Sequence, residues 1–144
     1  MPLSGSASYL YLLMAGTTNH MQSRFDNGEI VVAYADGAST DLALANPGTW
    51  WPIEQDYFVD DFAFAFGEEF PFARPAIPPR VDLKTGRIRL AEIEEFKGRG
   101  GPVIGGAATV LALRLDPRRQ LASLTLRALA NEVVIGLVAA TLER

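Results

Sequence analysis

Glu29-Ile30-Val31-Val32-Ala33-Tyr34-Ala35-Asp36-Gly37-Ala38-Ser39-Thr40-Asp41-Leu42-Ala43-Leu44-Ala45 reads as two strands joined at Asp36-Gly37. In the first arm Ile30, Val32 and Tyr34 share one face of a period-two pattern, and in the return arm Leu42 and Leu44 do the same. A tight turn between strands needs positive φ, which an Asp-Gly pair tolerates. The spacing predicts a β-hairpin over residues 29–45 with one buried face.

The same alphabet extends outward. Upstream, residues 8–15 are apolar on both faces, which suits a central buried strand. Gly16-Thr17-Thr18-Asn19-His20 is expected to break that strand, and residues 19–27 to form a polar loop closed by Asn27-Gly28. Residues 1–6 are expected as a flexible lead-in to a single domain over residues 7–144.

Downstream, Phe62, Phe64 and Phe66 line one face of a further strand, and a proline-rich stretch from Pro71 to Pro79 is expected to wrap an edge in extended form. A second hairpin is expected from residues 80–83 and 87–90 around Lys84-Thr85-Gly86. Residues 91–101 hold a short helical pattern that loosens into Gly98-Arg99-Gly100-Gly101. Three more strands follow over residues 108–115, 121–128 and 132–142, with turns at Asp116-Pro117 and Ala130-Asn131. A 3.6-residue period is nowhere sustained and no repeat is present. About eight strands at this spacing predict an all-β, antiparallel β-sandwich of the jelly-roll kind.

With 49% apolar and 21% charged residues in 144, the chain can bury a core. Its net charge of −4 argues against nucleic acid as a partner. Residues 1–72 carry −9 and residues 73–144 carry +5, which interleaved strands would neutralise. Without cysteine there is neither a disulfide nor a thiolate metal site. The apolar run over residues 9–15 lacks a preceding Lys or Arg and a cleavage site, so it is read as a strand and not as a targeting signal. Residues 133–142 are about half the length of a membrane span.

The chemistry concentrates in Asn46-Pro47-Gly48-Thr49-Trp50-Trp51-Pro52-Ile53-Glu54-Gln55-Asp56-Tyr57. Two prolines stiffen this segment, and its aromatic faces lie beside Glu54, Gln55, Asp56 and Tyr57. Sugars present apolar faces that stack on tryptophan and hydroxyls that need such partners, so Trp50, Trp51, Glu54, Gln55, Asp56 and Tyr57 are candidate ligand-binding residues. Asn19, Gln22 and Arg24 join them if their loop lies at the same end. Adjacent strand residues face opposite ways, so at most one tryptophan is expected to be exposed. The alternative is a packed corner with both rings buried, in a structural or interaction domain that packs on a catalytic neighbour or on itself.

Asp56, Asp60 and Asp61 supply hard oxygens for a structural calcium, against a solvated acidic patch. His20 is the sole histidine, no nucleophile elbow exists, and nothing places a substrate between Glu54 and Asp56. No catalytic residue is assigned.

Several segments carry a family resemblance: residues 19–28 with Met21-Gln22-Ser23, Tyr34-Ala35-Asp36-Gly37, the Trp50-Trp51-Pro52-Ile53-Glu54-Gln55-Asp56-Tyr57 string, residues 80–86, Gly105-Gly106-Ala107-Ala108 and residues 130–137. In this order they resemble the C-terminal β-sandwich region of large bacterial proteins related to glycoside hydrolases. The resemblance implies a galactose-binding-like accessory module, non-catalytic by itself, with carbohydrate or a neighbouring catalytic domain as partner. It also implies a parent exported to the periplasm or cell surface. Any catalytic acid or base of such a parent lies outside this chain.

Overall fold

The computed structural model describes residues 1–19, 22, 25–46, 48–56, 79–89 and 101–144. Among them there are ten strands and no helix: β1 (Tyr9–Thr18), β2 (Asp26–Tyr34), β3 (Ser39–Ala45), β4 (Gln55–Asp56), β5 (Arg80–Asp82), β6 (Ile88–Arg89), β7 (Gly101–Pro102), β8 (Ala107–Arg114), β9 (Leu121–Ala128) and β10 (Val133–Glu143). They build a five-stranded antiparallel sheet, β10-β1-β8-β5-β6, and a three-stranded one, β3-β2-β9, with β4 and β7 paired apart. The described residues form an all-β sandwich. The strand expected over residues 62–66, the proline-rich stretch up to residue 78 and the helical pattern of residues 91–100 lie outside the described residues.

The hairpin forms as its sequence predicts. Tyr34 N–H donates to Ala38 O, Gly37 takes φ +88°, and Asp36 Oδ1 accepts from Ala38 N–H, which closes the turn. Ile30, Val32 and Tyr34 of β2 and Leu44 of β3 face Leu10, Leu12 and Met14 of β1 and Leu111 and Leu113 of β8 across the interior. Although β1 is apolar on both sides in composition, it buries mainly one. Leu10, Leu12 and Met14 are inside, while Tyr11 is exposed beside Tyr9 on the outer face.

One expectation is corrected. β1 does not break at Gly16 but continues through Thr18, because β10 stays paired along it as far as Thr18↔Val133. Glycine is required within the strand for space: a Cβ there would collide with the Val134 carbonyl of β10 and lie 3.0 Å from Trp50 Cζ3. Residues 1–5, at the start of the chain, run along β9. Leu3 N–H donates to Ala122 O, Leu121 N–H to Gly5 O, and Met1 and Leu124 bond each other through main-chain groups in both directions. These residues satisfy a strand edge that would otherwise be bare.

The far end of the sandwich is held by charge. Tyr34 Oη bonds Thr40 Oγ1 at 2.8 Å and accepts from Asp116 N–H at 3.1 Å, with Arg119 lying over the ring. Arg119 also bridges Asp36 at 2.6 Å, and Arg118 grips Asp116 through Nε and Nη2. The hydrogen bond from Arg118 holds the Asp116 carboxyl well below the usual carboxylate range.

Candidate functional site

The tryptophan segment enters where the larger sheet opens. β1 pairs with β8 only as far as Met14↔Thr109. Beyond that point Ile53 lies between the diverging strands, its N–H donating to Gly16 O at 2.7 Å and its carbonyl accepting from Ala107 N–H at 2.8 Å. Glu54 O then accepts from Val103 N–H, and Gln55↔Pro102 and Asp56↔Gly101 extend the pairing. Residues 50–56 are therefore a wedge bonded to the main chain on both sides.

Neither tryptophan is exposed. Trp50 retains 1% of its surface and Trp51 3%. The two rings do part company, as adjacent strand residues should, but toward two interiors. Trp50 joins the core between the sheets, against Gly16. Trp51 lies beside the buried Arg80, whose guanidinium carbon is 5.5 Å from the ring centroid and whose Nη2 donates to Pro52 O at 2.9 Å. Of the two alternatives the packed corner is the one seen: the main-chain bonds of Ile53 draw the whole segment into the sheet.

The group that fixes this corner is Asn27, which is fully buried. It is the extra residue of a β-bulge, since β2 pairs Asp26↔Ala45 and then Gly28↔Leu44. A bulge re-aims a side chain that regular alternation would send elsewhere. Asn27 Oδ1 accepts from Trp50 Nε1 and from Asn46 N–H, each at 3.2 Å, and Nδ2 donates to Gln22 O at 2.8 Å. Its own carbonyl accepts from Leu129 and Ala130 N–H. One residue thus joins the loop after β1, the tryptophan segment and the β9–β10 turn.

The exposed polar groups lie on the rim of this corner. Glu54 accepts from Thr17 Oγ1 at 2.6 Å, and Asn19 Nδ2 donates to Glu132 Oε2 at 3.0 Å. Thr17 and Asn19 are two residues apart at the end of β1, so Glu54, Asn19 and Glu132 share one end of the sandwich. Gln22 is half-buried and reaches the corner through its main chain. Gln55 and Asp56 are placed by backbone pairing. Tyr57, Arg24, Asp60 and Asp61 lie outside the described residues. Among the described residues no group of three or more His, Asp or Glu is arranged to hold a metal ion, and no helix is long and apolar enough to cross a membrane.

A shallow, mostly apolar groove of about 490 Å³ runs along β8 past the point where β5 leaves it. It is lined by Tyr11, Leu42, Thr49, Pro79, Val110 and Ala112 and offers no carboxylate. Sequence reasoning passed over Asn27, Glu132 and Arg80. Only Asn27 left a trace, as an Asn-Gly pair at the start of an apolar alternation, where a bulge is an ordinary outcome. No family model, curated protein or solved structure matches this chain.

Proposed function

We propose that this chain is a non-catalytic β-sandwich module of a larger carbohydrate-active protein, and that residues 50–56 serve as its structural corner. Its role is to pack on a neighbouring catalytic domain. The burial of both tryptophans carries this reading, because a stacking platform needs an exposed ring face and this segment keeps both rings inside. The apolar groove along β8 supplies surface suited to a neighbour.

The carbohydrate context rests on the resemblance of residues 50–57 and the accompanying segments to hydrolase-related proteins, and with it an exported parent. A galactose-binding-like jelly roll is part of the proposal. In its favour, the first and last long strands lie side by side, and the chain changes sheet between β1 and β2, between β8 and β9 and between β9 and β10.

A second reading, direct sugar contact, is favoured by the exposed rim of Glu54, Asn19 and Glu132. One titration separates the two. With a panel of mono- and oligosaccharides followed by calorimetry and tryptophan emission, the packing role expects no saturable heat and no spectral shift. A saturable response that Glu54→Gln abolishes, in a variant of unchanged melting temperature, would transfer the function to the rim.

A further inference from the structure

We infer that β10 is a self-association edge, through which a second copy of this chain adds to the five-stranded sheet by antiparallel strand pairing. The inference goes beyond the packing role and concerns a different surface. It begins from how the edges of the two larger sheets, β10, β6, β3 and β9, are treated among the described residues. β9 is covered along Leu121–Leu124 by residues 1–5. β6, the other edge of the larger sheet, is only two residues long. β3 is seven residues long and carries exposed Asp41. β10 is an edge of eleven residues, and over residues 133–142 it holds neither a charge nor a proline, the devices that discourage pairing. Its exposed side chains before Glu143 are apolar apart from Thr141, with Val134 64% and Val138 56% accessible.

The occupant follows from register. Two copies paired edge to edge share a two-fold axis perpendicular to the sheet, so inward residues must oppose inward residues. Val133, Ile135 and Leu137 lie opposite Thr18, Gly16 and Met14, and Ala140 and Leu142 lie opposite Leu12 and Leu10, so these five share the inner face of the sheet, with Ala140 at its exposed margin. The register shift at Leu13/Met14 leaves Val138 as a bulge and reverses the alternation beyond it. Of the two central registers this parity allows, one sets Glu132 against the partner's Glu143, a like-charge pair. The other sets Ile135 against the partner's Leu142, Leu137 against its Ala140, Gly136 against its Thr141 and Val134 against its Glu143. The second register opposes no like charges and continues the apolar interior across the dyad. A single pair of strands makes an interface of the small, weak class.

The test uses the whole chain. Sedimentation velocity from about 10 μM to about 1 mM, the range of weak interfaces, should show the mass rising from 15.6 kDa toward twice that. Val138→Lys should lose this rise without losing its fold. The chain has no cysteine, so register is read by crosslinking. Val134→Cys/Glu143→Cys should form an oxidised dimer, while each single variant crosslinks at least tenfold less. Within one chain these positions are nine residues apart along a strand, roughly 30 Å, too far for an internal disulfide. A mass of one chain at every concentration would overturn the inference, as would single variants that crosslink as readily as the double.

Discussion

Replacing Asn27 by alanine should destabilise this protein more than any conservative exposed-face substitution. The side chain satisfies Trp50 Nε1 and Asn46 N–H and donates to Gln22 O, all inside the corner. Alanine leaves two buried donors and an acceptor without that partner. Each stranded buried group costs about 1–3 kcal/mol, and the costs are not additive because one vacated site can admit a water molecule. We expect a loss of about 3 kcal/mol, equivalent to a fall of roughly 10 °C in Tm for a domain of this size. Urea unfolding followed by tryptophan emission measures the free energy, since both reporters lie in the affected corner. Gln22→Ala is the control: Asn27 bonds the main-chain carbonyl of Gln22, so this variant keeps that bond and should cost less than Asn27→Ala. If Asn27→Ala costs no more than Gln22→Ala, the bulged asparagine is not what holds the corner together.

Gly16→Ala should cost about 1–3 kcal/mol in the same unfolding assay, because the added methyl has to part β1 from the Val134 carbonyl of β10 and also crowds Trp50. Acrylamide should quench the native emission of Trp50 and Trp51 several-fold less than that of the urea-unfolded chain, and a freely quenched component would contradict the burial of both rings. Asp116 has a folded pKa below its unfolded value, so its stabilising contribution is complete above the unfolded pKa and is lost as pH falls through the folded one. Asp116→Asn should therefore lower Tm at pH 7 and flatten the fall in Tm below about pH 4, as calorimetry across pH would record. Arg80→Ala should expose Trp51 to quenching by removing the guanidinium beside its ring, and Trp50 should remain protected.

Much of the strand inventory was legible because alternation is a local property. Ile30, Val32 and Tyr34 needed only their own spacing to declare a buried face, and Asp36-Gly37 needed only its tolerance of positive φ. The end of β1 was misjudged for the converse reason. Gly16 looks like a breaker when its neighbours are out of view, and becomes a necessity once Trp50 is packed against it.

The candidate site divides along the same line. Sequence alone identified residues 50–57 as the chain's densest aromatic and polar segment, stiffened by proline, and required adjacent tryptophans to face opposite ways. It had no means of saying that both directions lead indoors. That was decided by the divergence of β1 and β8 after Met14↔Thr109, which opens main-chain donors and acceptors that Ile53 then fills. The role of Asn27 was likewise settled by register, since only the β2–β3 pairing turns it toward Trp50 and Asn46. Alternation and turn chemistry are written into neighbouring residues. Burial of a ring and the aim of an amide depend on strands distant in sequence, and only the folded sheets bring those together.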